Sequence, residues 1–186
     1  MNVLRPMEFF LAGIVLFLVS QGLLGPLLAN SPESEESTLL RVMWLPVYAL
    51  TIAWMAITPA RTLDIMWRTP IILILSLLCF ASFLWSVDSG LTQRRGFALV
   101  MTTLFGLLLA SRFNWRELIT LIAVVFSVLA VMSTVMSLAF PGIAVHHDIH
   151  VGAWKGIWWE KNTLGAMMAF GTTAALAASV CQPRHK

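Results

Sequence analysis

Charge is what this sequence has least of: Asp, Glu, Lys and Arg together make up 11% of its 186 residues, against about 25% in a soluble domain. A water-soluble globule of this size could not hide the remaining apolar surface. Disorder is excluded as well, because disordered chains are polar and highly charged. Cysteine is scarce. Cys79 and Cys181 fall inside or at the end of apolar runs at different predicted depths, so they read as small packing residues and not as a disulfide or a metal pair. There is no Ser-His-Asp arrangement, no phosphate-binding glycine loop and no cysteine–histidine zinc pattern. The net charge of +3 comes from basic residues scattered as loop flanks, a membrane pattern with no sign of a nucleic-acid partner.

What is present is hydrophobic length. Apolar residues make up 59% of the chain and its mean hydropathy is +0.84. Since a membrane-crossing helix needs about 20 apolar residues, the expectation is an all-α integral membrane protein. It reads as a single domain over 1–186 with about six transmembrane helices, at about 9–29, 42–58, 70–87, 97–110, 118–140 and 163–181. Helix is the default because lipid offers the backbone no hydrogen-bond partners. The run after Arg5 continues to Ala29 and is read as an uncleaved first span. The connections are an acidic stretch with Glu33, Glu35 and Glu36, a stretch 59–69 with Arg61 and Arg68, a Ser-Gly turn before Arg94, a short Arg112–Glu117 link, and a long loop 141–162 opened by Pro141-Gly142. With a cytoplasmic N-terminus, seven basic residues fall inside and five outside, which favours that orientation. Trp44, Trp67, Trp85, Trp115, Trp154, Trp158 and Trp159 lie near helix ends, as an aromatic belt would.

Three places carry polar chemistry. Arg94-Arg95 is expected on the outer side at the start of the fourth helix, where the dipole disfavours cations. A bound phosphate would relieve that conflict; the competing reading is contact with lipid phosphates or solvent. His146, His147 and His150 sit in the long loop. The four-residue spacing of His146 and His150 suits zinc only on a helix, and Pro141-Gly142 with Ile149, Val151 and Gly152 argues against one, so no metal is expected there. His147 and His150 are kept as polar contacts. Lys155 and Lys161-Asn162 lead into the sixth helix, with Asn162 or Thr163 as its N-cap. Arg94, Arg95, Lys155, Lys161 and Asn162 thus read as a shallow outward-facing site for pyrophosphate, with tryptophan–lysine interfacial anchoring as the plainer alternative. The sixth helix is rich in small residues, and Gly165 and Ala169 have the spacing that lets helices approach closely.

The stretch Ser82-Phe83-Leu84-Trp85-Ser86-Val87-Asp88, followed by Leu91-Thr92-Gln93-Arg94-Arg95, resembles the O-antigen ligase/polymerase-like family, in its exopolysaccharide-polymerase branch. So does His147-Asp148-Ile149-His150-Val151-Gly152-Ala153-Trp154-Lys155-Gly156-Ile157 with Lys161-Asn162-Thr163-Leu164-Gly165. The resemblance implies a polytopic inner-membrane glycosyltransferase that needs no metal or other cofactor. It would use glycans on undecaprenyl pyrophosphate at the periplasmic face, with outward arginines holding the pyrophosphate. Two departures stand out. Lys155 replaces an arginine and loses its bidentate fork, and Glu160 stands where the family often has histidine. Family members are about twice as long, so the resemblance implies an N-terminal half whose catalytic residues lie elsewhere, on a second polypeptide, or an inactive remnant. The alternative is a non-enzymatic helical membrane protein that binds lipid-linked intermediates or scaffolds a partner.

Overall fold

The computed structural model describes residues 4–23, 38–147 and 150–181. The acidic stretch with Glu33, Glu35 and Glu36, the expected end of the first span, Asp148 and the basic tail lie outside the described residues. Among the described residues every regular element is a helix, and one isolated bridge joins Val145 to Trp154. The chain divides into two compact units, one of 1–43 with 115–186 and one of 44–114.

In the first unit, α1 (Leu4–Val19) packs on α6 (Trp115–Ala139), and α6 pairs with α8 (Lys161–Cys181). Arg5 Nη2 donates to both carboxylate oxygens of Glu117 at 2.8 Å, a charge-assisted contact that ties the start of α1 to the start of α6. Further along, Gly13 lets Leu121 and Val125 of α6 come close. The helix that opens the expected first span stops at Val19 and gives way to a turn. α1 ends after 16 residues, too few to cross a bilayer. The cause is local: the run is apolar on average, but Ser20-Gln21-Gly22 interrupts it. Gln21 and Leu23 then adopt positive φ (56° and 67°), and the Leu23 N–H is donated to the Ile157 carbonyl at 2.8 Å.

The α6–α8 seam is built from small residues, but not the expected pair. Gly171 lies under Phe126, where a Cβ would meet that ring's own Cβ at 2.9 Å, while Gly165 faces open space. Ala174, Ala177, Ala178 and Cys181 continue the seam against Ile119 and Ala123. Gly165 and Ala169 therefore lie off this contact, because the helix turns its Gly171-Ala174-Ala178 stripe to α6. Gly171→Leu is expected to destabilise the detergent-purified protein by about 1–3 kcal/mol through overpacking, and Gly165→Leu by less than about 0.5 kcal/mol as an open surface site. Equal effects in a thermal unfolding series would overturn this seam.

The second unit holds α2 (Thr38–Ile57) from Trp44 onward, α3 (Pro59–Arg68), α4 (Pro70–Ala81) with a 3₁₀ turn at Ser82–Leu84, and α5 (Ser89–Arg112). The expected connection 59–69 is a ten-residue helix. Pro59 and Pro70 each occupy a first helical turn, where a missing N–H costs nothing. α3 and the α4 segment are bent by 87° at Thr69. α4 and α5 approach closely at Gly96, where a Cβ would lie 2.9 Å from the Phe80 Cα. Tyr48 and Phe97 meet edge to face at 5.5 Å, joining α2 to α5, and Met101, Phe105, Leu108 and Phe113 form the buried interior.

Among the described residues, α5, α6 and α8 are long and apolar enough to cross a membrane, and the bent α3–α4 pair would be a fourth. The described residues are thus all-helical with three to four candidate spans, and the six expected are not confirmed. Trp67, Trp85 and Trp115 are exposed near helix ends and Trp154 is exposed within the loop 145–160, whereas Trp158 is buried.

Candidate functional site: an anchored loop

The segment between α6 and α8 is not a free interfacial strip. α6 is apolar over most of its length but buries Ser133 and Ser137, one turn apart. Phe140 then leads into a single turn, α7 (Pro141–Ala144), set by the proline. Beyond it the chain doubles back. The His146 N–H is donated to Ala153 O at 2.9 Å, Gly152 N–H to His146 O at 3.0 Å, and Lys155 and Gly156 N–H both to Ala144 O at 2.9 and 3.0 Å. Gly152 makes the reversal at φ +81°, a left-handed conformation that costs glycine little.

Gly156, at φ +62°, turns the chain inward. A Cβ there would lie 2.6 Å from Ser133 Oγ, so the loop backbone touches α6 directly. The Ile157 N–H is donated to that same hydroxyl at 3.4 Å. Ile157 and Trp158 are 1% and 4% exposed. Ile157 fills the space left by Gly22 beside Leu129, and the Trp158 indole Nε1–H is donated to the Ser20 carbonyl at 2.8 Å. A buried indole requires such an acceptor, and the irregular end of α1 supplies it. Sequence reading assigned Trp158 to the aromatic belt, since average hydropathy does not separate an interfacial indole from a buried one. Ser133 and Ser137, four apart on a largely apolar helix, are the available signal.

This scaffold displays the polar residues expected from the sequence. His147 Nε2 lies 3.2 Å from Pro141 O. The His146 and His150 rings meet edge to face at 6.1 Å, not on a shared helix face, and His146 Nε2 is buried with no hydrogen-bond partner among the described residues. Lys155 Nζ stands 6.0 Å from the Trp159 ring centroid, within cation–π range. Among the described residues no three His, Cys, Asp or Glu side chains come together as a metal site would need.

Two expected helix starts are displaced: at α5 the dipole conflict goes with the shift, while at α8 Lys161 becomes the first helical residue. α5 begins at Ser89, capped by Asp88, whose Oδ1 accepts the Leu91 N–H at 2.9 Å. Arg94 and Arg95 are therefore its sixth and seventh residues, exposed on the second turn, beyond the first turn where the dipole acts strongly. α8 begins at Lys161, not after Asn162, so Glu160 and not Asn162 or Thr163 stands at the N-cap position. Both helix starts already have a carboxylate beside them. Lys155, Lys161, Asn162, His147 and His150 belong to the first unit, and Arg94 and Arg95 to the second. The chain matches no family model, and no curated protein or solved structure is similar to it.

Proposed function

We propose that the chain is an inner-membrane component of bacterial surface-polysaccharide assembly, and that its 145–162 loop binds undecaprenyl-pyrophosphate-linked glycans at the periplasmic face. The step assigned is binding, with Lys155 as the main contact for the pyrophosphate and His147, His150, Lys161 and Asn162 as neighbouring polar groups. Arg94 and Arg95 on α5 are a cationic contact of their own for an anion. The observation that carries this reading is the tethering of the loop. Interfacial anchoring needs only a tryptophan and a lysine at headgroup depth. Here Ile157 and Trp158 are committed to the interior, which holds the backbone beside Lys155 in one conformation. A fixed cation is preorganised for an anionic ligand in a way that a mobile one is not.

The test is binding of an undecaprenyl-pyrophosphate analogue to the detergent-purified chain. A charge-assisted hydrogen bond contributes about 1.5–3 kcal/mol, so Lys155→Ala is expected to weaken binding about tenfold or more. Arg94→Ala and Arg95→Ala, measured separately, are expected to do the same, and Arg→Lys to recover only part because the bidentate fork is lost. Affinities within about twofold across the set, far from the tenfold expected, would overturn the assignment. Glycan profiling of a deletion strain, with and without the chain restored, tests the cellular role.

A further inference from the structure

α3 is unlike every other helix of the second unit. Its sequence, Pro59 to Arg68, spreads three kinds of residue over three sides. Thr62 is buried. On one flank Leu63 and Trp67 are exposed, Trp67 at 82%. On the other, Arg61, Asp64 and Arg68 recur at three- and four-residue spacing, which aligns them along the axis. Such a helix suits neither water, where the tryptophan flank is wasted, nor hydrocarbon, where the arginines are. It suits the boundary, lying flat with its apolar flank in the acyl layer. The 87° bend to the α4 segment supplies that attitude: if the apolar α4 enters the membrane, α3 lies along its surface.

The polar flank borders a shallow cavity of about 330 Å³ lined by Arg61, Asp64, Ile65, Arg68, Ala110 and Ser111. Ala110 and Ser111 come from the last turn of α5, so this end of the second unit also carries Arg112. Within the cavity Asp64 Oδ2 takes Arg68 Nε at 2.9 Å. That pair orients the Arg68 guanidinium and leaves its terminal nitrogens as further donors. Arg61, two turns earlier, makes no ion pair among the described residues. Two arginines against one carboxylate leave a net positive cleft at headgroup depth. Three arginines at one end of a membrane unit mark the cytoplasmic side, where anionic lipids are enriched.

We infer that α3 is an in-plane interfacial helix, and that the Arg61–Arg68–Ser111 cleft holds the phosphate of an anionic phospholipid of the cytoplasmic leaflet. The acyl chains would lie along Leu63 and Trp67. This site is independent of the periplasmic reading above.

The experiment is native mass spectrometry of the full chain released from detergent with phosphatidylglycerol, phosphatidylcholine or inorganic phosphate. Phosphatidylglycerol is expected to bind about tenfold tighter than phosphatidylcholine, because both carry the phosphate but the two arginines repel the choline cation. Arg61→Gln and Arg68→Gln are expected to abolish that preference, and Arg61→Lys to restore part of it. Arg116→Gln, an exposed arginine at the start of α6, is expected to leave it intact. Equal loss in Arg116→Gln would reduce the effect to general surface charge and overturn the site. So would an unchanged preference in Arg61→Gln. Inorganic phosphate displacing phosphatidylglycerol at comparable concentration would make this a soluble-anion site and overturn the lipid assignment.

Discussion

Trp158→Ala is expected to remove the loop from the interior and to cost about 3–5 kcal/mol, the range for deleting a large buried aromatic. Trp158 is 4% exposed, and its indole N–H occupies the Ser20 carbonyl. Truncation therefore opens a cavity and also leaves that carbonyl without a partner. Against a total stability of about 5–15 kcal/mol, this is enough to loosen the first unit as a whole. Trp158→Phe separates the two terms. The ring still fills most of the volume, the donor is gone, and the expected cost falls to about 1–3 kcal/mol. Thermal unfolding of the detergent-purified variants measures both, and limited proteolysis between Pro141 and Glu160 reads the loop directly. A Trp158→Ala protein within about 1 kcal/mol of wild type, with the loop still resistant to cleavage, would mean that the indole is not the anchor.

Gly156→Ala is expected to be nearly as damaging, for different reasons. The residue sits at φ +62°, which costs an L-residue about 1–2 kcal/mol. Its new Cβ would also lie 2.6 Å from Ser133 Oγ and 2.9 Å from Ser133 Cβ, an overpacking term of about 1–3 kcal/mol. Gly152→Ala isolates the first cost, since it has φ +81° and open space around its Cβ direction. The excess of Gly156→Ala over Gly152→Ala is then the contact with α6. In a Ser133→Gly background that excess should vanish while the backbone share remains, a coupling that a double-mutant cycle measures. Additive effects would place the loop away from α6.

How much of this was legible follows from what each signal averages. Continuous apolar runs near 118–140 and 163–181 point to α6 and α8, because in a membrane a long apolar run has one stable backbone form. Where polar residues enter the run, hydropathy fails. Ser20-Gln21-Gly22 barely lowers the local average, yet it ends α1, because Gly22 and the Ser20 carbonyl are needed by Ile157 and Trp158, residues more than a hundred positions away. α3 was hidden for the opposite reason. Arg61, Asp64 and Arg68 make its average polar, so it reads as a connection. Only the period of its charges and the two prolines at helix starts mark a helix. The start of α5 was legible but misread: Asp88-Ser89-Gly90 resembles a turn, while Asp88 with Leu91 three residues on is an N-cap. That one shift moves Arg94 and Arg95 a full turn into the helix and removes the dipole conflict at that helix start.

The same shift bears on the bilayer. With α5 starting at Ser89, Arg95 and Arg112 stand seventeen positions apart on continuous helix, about 26 Å of rise. The hydrocarbon layer that a spanning helix must cross is about 30 Å thick. Tilting, which absorbs the excess of a long span, makes a short one shorter still. For a spanning α5 that shortfall would fall on the lipid beside it. As a span, α5 would draw the membrane around it thinner than its surroundings, and lipids with shorter acyl chains would collect along this helix in preference to longer ones.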